Sequence, residues 1–193
     1  GAAITSASSY SVSLTKYASG GTVAWNRAFD VNTVGSTYVG SITLDPSGNV
    51  LVAGSTYNGT TNNYDLYVVK YNSSGTKQWH QLYNGAGNSY DFAAAVKCTS
   101  NGDVFVTGGA FHTLVNLNAV TIRYNSSGTA QWTQTWDNVS LSDAGGTLAF
   151  AGSETRVIVT GFTQTNASTW EYMALTYAVS SGTLAASTVT TLG

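Results

Sequence analysis

The sequence predicts an all-β fold of β-propeller-type repeats, about three and a half four-stranded antiparallel blades, and three observations predict it. The first is repetition. Lys70-Tyr71-Asn72-Ser73-Ser74-Gly75-Thr76-Lys77-Gln78-Trp79 returns as Arg123-Tyr124-Asn125-Ser126-Ser127-Gly128-Thr129-Ala130-Gln131-Trp132. A looser copy runs from Lys16-Tyr17 to Trp25, and another follows Tyr177 with one residue inserted. Tyr17, Tyr71, Tyr124 and Tyr177 stand 54, 53 and 53 residues apart. A second marker, Asn49-Val50-Leu51-Val52-Ala53-Gly54, recurs in Asp103–Gly108 and Arg156–Gly161, so Gly54, Gly108 and Gly161 keep the same period. Two markers in step are the signature of a repeat architecture.

The second observation is that Val50-Leu51-Val52 and Val157-Ile158-Val159 are apolar without alternation, the pattern of strands covered on both faces. A two-layer sandwich buries one face of each sheet, whereas sheets packed around an axis bury both. The third is turn chemistry. Asn-Gly and Ser-Gly pairs at the strand boundaries supply positive φ for tight hairpins. The single proline, Pro46, stands in the turn Asp45-Pro46-Ser47-Gly48 and interrupts no strand.

The elements follow in order within one domain, 1–193. A half unit occupies 10–30, a hairpin turning through Ala18-Ser19-Gly20-Gly21 between Tyr17 and Trp25. Full units lie near 37–85, 90–137 and 143–190. In each, the first strand is typified by Phe92–Val96 and ends in a turn such as Ser100-Asn101-Gly102-Asp103. The second is Val104–Thr107, closed by Gly108 and a variable loop. The third, Ala119–Tyr124, turns through Asn125–Gly128 into a fourth that carries Trp132 and runs toward Trp136. Trp25, Trp79 and Trp132 are expected to fill the space between neighbouring blades, each ring burying ~150–250 Å². Ala186 takes that place in the last copy. Half a blade leaves a strand edge to be satisfied, by the remainder of a larger chain, by self-association, or by capping within an open stack. The opening residues lack a basic stretch followed by an apolar one, so Gly1-Ala2-Ala3 reads as a mature chain after cleavage or as a segment of a longer one.

Composition excludes several functions. Charged residues are 8% of the chain, about a third of the usual share, and Gly, Ser, Thr and Asn fill the polar positions instead. With 42% hydrophobic residues and a net charge of −2, the chain is outside the disordered class. Seven scattered basic residues form no patch for nucleic acid and no polybasic segment for anionic lipid. No apolar run is long enough for membrane insertion. The one cysteine, Cys98, makes no internal disulfide and reads as a small buried side chain.

Catalytic chemistry is not predicted. His80 and His112 occupy unlike places in the repeat, without a second ligand at metal spacing. No nucleophile elbow and no phosphate-cradling loop is present, so neither metal nor cofactor is expected. Asp91 and Asp143 open the first strand of their units, where the first full unit has Thr37. Carboxylates so placed read as loop caps. Glu154 and Glu171 read as isolated and exposed. The turns Asp45–Asn49 and Asn101–Asp103 offer fewer oxygens than calcium requires.

Asp65-Leu66-Tyr67-Val68-Val69-Lys70-Tyr71-Asn72-Ser73-Ser74-Gly75, with Tyr90-Asp91 and Gly102–Gly108, resembles the SBBP-type bacterial β-propeller repeat, and the likeness runs from about Tyr10 to Thr183. The resemblance implies an exported, surface-associated or adhesin-like protein, extracellular in location, and it brings no catalytic residues. The expected function is therefore an extracellular structural or adhesive module that assembles through its incomplete blade. The alternative is a module binding a glycan or cell-surface protein with the loops 56–64, 109–117 and 163–170, which differ most between copies. Tyr57, Tyr64, His112 and Trp170 are its contact candidates.

Overall fold

The computed structural model describes residues 2–6, 9–29, 35–138 and 141–190, and every regular element among them is a β-strand. The first sheet holds β1 (Ala2–Ser6), β2 (Ser9–Tyr17) and β3 (Val23–Phe29). The second holds β4 (Thr37–Leu44), β5 (Val50–Asn58), β6 (Asn63–Tyr71) and β7 (Lys77–Tyr83). The third holds β8 (Phe92–Cys98), β9 (Val104–Phe111), β10 (Leu117–Tyr124) and β11 (Ala130–Trp136). The fourth holds β12 (Asp143–Ala151), β13 (Arg156–Asn166), β14 (Thr169–Ala178) and β15 (Leu184–Thr190). Within each sheet the strands lie in chain order, and every pair is antiparallel. Among the described residues no sheet closes back on another into a barrel or ring.

The first sheet differs from the expected hairpin over 10–30 by one strand. β1 pairs with the opening of β2, Ala2 facing Val12 and Ala3 facing Ser11. The segment Ala-Ala-Ile-Thr-Ser carries neither repeat marker and no turn glycine, so the period does not reveal it. Asp30, the end of the expected half unit, lies outside the described residues.

Strand periodicity explains why the second strands are apolar throughout. Side chains alternate between sheet faces, so Val50 and Val52 of β5 join Val12, Leu14, Tyr67, Val69 and Tyr71 in a core against the first sheet. Leu51 and Ala53, on the opposite face, join Val104, Val106, Val120 and Ile122 of the third sheet. Phe105 and Ala119 face onward to Val157, Val159, Met173 and Leu175 of the fourth. The middle strands of each inner sheet, β5 and β6, β9 and β10, are thus buried on both sides.

The repeated glycine of the second strand has a steric cause. In the first strands the register slips opposite it, between Val39 and Ser41, between Ala93 and Ala95, and between Gly145 and Thr147. These bulges bend the first strand over the glycine. A Cβ on Gly54, Gly108 or Gly161 would fall on the carbonyl oxygen of Tyr38, Phe92 or Ala144 respectively.

Candidate functional site

The hairpin motif makes a clasp between consecutive sheets. In the turn after β6, Asn72 Oδ1 accepts from the amides of Ser74 (3.1 Å) and Thr76 (2.8 Å), and Gly75 takes φ of 79°. Asn125 does the same for Ser127 and Thr129, with Gly128 at φ 86°. This self-capped turn holds its serine carbonyl toward the preceding sheet. There Trp25 Nε1 (3.0 Å) and Lys16 Nζ (3.1 Å) both donate to Ser73 O. Trp79 Nε1 (3.1 Å) and Lys70 Nζ (3.2 Å) donate to Ser126 O. Trp132 Nε1 (2.9 Å) and Arg123 Nη1 (2.9 Å) donate to Val179 O. The turn glycine lies flat on the indole, so a Cβ on Gly128 would sit 2.6 Å from Trp79 Cδ2.

Two of the clasp cations are also ion-paired with the turn between the first and second strands of their own sheet. Lys70 Nζ meets Asp45 Oδ2 at 2.8 Å with both side chains buried, and Arg123 Nη2 meets Asp103 Oδ2 at 2.7 Å. Burial raises Asp45, but hydrogen bonds from Lys70 and Asn49 outweigh it and leave the carboxyl below its ordinary range. The two turns considered as oxygen donors for calcium therefore direct carboxylates at Lys70 and Arg123. Glu154 departs from the isolated carboxylate expected. It accepts from Ser100 N and Oγ, joining the turns of the third and fourth sheets.

The ends of the stack break the pattern in opposite ways. Tyr71, Tyr124 and Tyr177 are buried against the preceding sheet, with Tyr124 and Tyr177 beside Trp79 and Trp132 at ring distances of 6.3 and 6.1 Å. Tyr17, with no described sheet before it, is 62% exposed. At the far end Thr176 replaces the clasp cation and Ala186 the tryptophan. The outer face of the fourth sheet therefore offers neither donor.

The four contact candidates fall in three places. Tyr57 and Tyr64 meet at 5.4 Å, and Tyr64 extends the row to Tyr38 (5.8 Å) and Tyr90 (5.4 Å), which stacks on Phe92 (5.8 Å). Burial, then hydrogen bonding to Tyr38, pushes the Tyr64 phenol above its usual value. His112 is exposed on the β9–β10 loop, at a depression of about 260 Å³ that Tyr83 and Asn118 also line. Trp170 is 55% exposed and packs edge-on against Phe162 at 5.2 Å, on the fourth sheet. Sequence reasoning missed Tyr38, Tyr90 and Phe92, because they stand in or just before the first strands β4 and β8 and only the fold brings them to the loop of the second.

The buried carboxylates cap loops. Asp91, fully buried, accepts from Gly85 N (2.5 Å) and Phe111 N (2.9 Å). Burial pushes its pKa up to about 6 against the pull of those amides. Asp143 accepts from Asn138 N at 3.1 Å, and Thr37 bonds Thr56 through their hydroxyls at 2.8 Å. No group of three or more His, Cys, Asp or Glu is placed to hold a metal among the described residues. No helix there is long and apolar enough to cross a membrane. No protein-family model matches the chain, and no curated protein matches it.

Proposed function

We propose that this chain is a non-catalytic structural module of an exported, surface-associated protein. Its sheets act as blades of a propeller-type array, and further repeat-type polypeptide, a second copy or the remainder of a larger chain, completes the array at the first sheet. The observation that carries the reading is the clasp. One set of hydrogen bonds is rebuilt between every consecutive pair of sheets, and its receiving half stands open at Tyr17. Stacked units that bury their faces only against neighbours behave as a one-dimensional array. The resemblance to SBBP-type repeats supports the surface location. Sedimentation and electron microscopy of native material test it. Rings, filaments or longer repeat arrays are expected, and a monodisperse particle of 20.1 kDa at every concentration would remove the reading.

A second reading, a glycan-binding face, is favoured by the row Tyr57, Tyr64, Tyr38, Tyr90 and Phe92, since aromatic faces with polar edges suit sugar rings. A glycan array tests it with Tyr90→Ala and Trp170→Ala. Saturable binding lost in the first and kept in the second locates the ligand on the tyrosine row. Absence of binding ends the reading.

A further inference from the structure

Two residues after the repeated glycine of the second strand stand Thr56, Ala110 and Thr163. Thr56 faces Thr37 and shares a hydroxyl hydrogen bond with it, and Thr163 faces Asp143. Ala110 brings no hydroxyl. It lies opposite Asn118 of β10, and its small side chain leaves room for the depression of about 260 Å³ beside His112. Tyr83, at the end of β7, and Thr135, on β11, also border it. The site thus lies between two sheets of four strands each, and neither end of the sequence reaches it.

Its walls are fixed by the loop that leaves the second sheet. Asp91 accepts from Gly85 N and Phe111 N, and Gly87 N donates to Phe111 O at 2.7 Å. A Cβ on Gly85 or Gly87 would lie 2.6 or 2.7 Å from that same carbonyl oxygen, so the loop is tied closely to the end of β9. A site held in this way loses little ordering entropy on binding. Its lining is polar without being charged. Asn118 is 6% exposed, and its Oδ1 has no hydrogen-bond partner among the described residues. A buried acceptor left so is costly, and a donor entering the depression satisfies it. Burial, then the nearby Asp91 charge, pushes the Tyr83 phenol up, so it keeps its proton. No Lys, Arg, Asp or Glu lines the depression, and both Asp91 oxygens are taken by amides. Neither an anion nor a cation finds its complement here.

Hydroxyl groups both donate and accept, which suits a site that offers an amide oxygen, a phenol, an imidazole and a threonine hydroxyl together. The volume is below the roughly 300–1,000 Å³ of sites for drug-sized ligands, so it takes one ring. We propose that this depression binds a single neutral pyranose, the end of a glycan chain. One sugar hydroxyl donates to Asn118 Oδ1, others meet Tyr83, His112 and Thr135, and the rest of the chain leaves through the mouth, where His112 and Thr135 are exposed. The site shares no residue with the clasp or with the tyrosine row, and binds without either.

The probes are the methyl pyranosides of glucose, galactose, mannose and N-acetylglucosamine, added to the whole chain and followed by NMR of the backbone amides. At least one is expected to give saturable shifts centred on 85, 86, 112 and 118, with a dissociation constant of about 1–10 mM. Ala110→Thr installs the residue of the sister units, so the fold accepts it, while the added atoms fill the depression and weaken binding at least about tenfold. Asn118→Leu removes binding and raises Tm by about 2–4 °C, because it deletes an unpaired acceptor; a purely structural asparagine would lower Tm instead. Saturation by none of the four, or binding unchanged in Ala110→Thr, overturns the proposal. Binding of the free sugars but of no methyl glycoside overturns the glycan end, and stronger binding of methylammonium or acetate overturns the neutral ligand. Binding that Tyr90→Ala abolishes and Ala110→Thr keeps places the sugar on the tyrosine row, and sinks this inference while leaving that reading standing.

Discussion

The indole N–H of Trp79 reaches the carbonyl oxygen of Ser126 at 3.1 Å, tying the fourth strand of one sheet to the hairpin of the next. The same ring carries Gly128 on its face, so one side chain supplies a directional bond and a packing surface. Trp79→Phe keeps most of the surface and removes the donor. A loss of about 1–2 kcal/mol is expected in urea denaturation. Ala186→Trp, where no described turn receives an indole, is expected to change stability by less than about 0.5 kcal/mol. Equal effects at both places would show that the Ser126 bond contributes nothing.

The glycine under the indole gives a paired test. Gly128 and Gly48 both sit at positive φ, 86° and 75°, but a Cβ on Gly48 meets nothing within 4 Å. Gly48→Ala should cost about 1–2 kcal/mol, the left-handed backbone term alone. Gly128→Ala adds a collision with Trp79 that only movement of the hairpin relieves, and about 2 kcal/mol beyond the Gly48 variant is expected. Thermal melts of the two variants separate backbone strain from the inter-sheet contact.

Lys70 and Asp45 are buried together, and the lysine also donates to Ser126 O. Lys70→Met leaves the carboxylate desolvated without its cation, which costs about 3–5 kcal/mol. The double variant Lys70→Met with Asp45→Asn should recover part of that loss. Chemical denaturation of the four proteins in this cycle gives the coupling, and a coupling near zero would make the pair irrelevant to stability.

The period of the repeat is legible because it has two steric causes, the bulge over Gly54, Gly108 and Gly161 and the glycine lying on each indole. Both need a particular residue type, and both therefore leave a mark in the sequence. The cations Lys16, Lys70 and Arg123 stand one residue before Tyr17, Tyr71 and Tyr124, yet their role was not legible. A cation on a strand looks the same whether it faces water or the next turn. Tyr38 and Tyr90 join Tyr57 and Tyr64 only because the first strands run beside the second-strand loops. β1 escaped notice because its five residues, Ala2–Ser6, carry neither marker of the repeat.

Cys98 is half-buried rather than fully enclosed, packed beside the core between the second and third sheets. Burial, with the nearby Asp45 charge adding to it, pushes the thiol up to about 12. Since the thiolate is the reactive species, labelling by a disulfide reagent at pH 8 should be slow in the folded protein and prompt in urea. Prompt labelling without denaturant would place the sulfur in water.

Asp91 sets the sign of one pH dependence. Its folded pKa of about 6 lies above the unfolded value, so between pH 4 and 6 the folded chain holds the proton more tightly. The contribution is present below the unfolded pKa and is lost as pH rises through 6, by up to about 3 kcal/mol. Asp45 and Glu154, with lowered pKa values, act oppositely, and their share disappears as pH falls below the ordinary carboxylate range. Asp91→Asn isolates the first effect, because the other carboxylates are common to both proteins. The difference in unfolding free energy, wild type minus variant, should be largest near pH 4 and shrink by pH 7. A constant difference would mean that the carboxylate is ionised at pH 4 despite its burial, stabilised by the Gly85 and Phe111 amides alone.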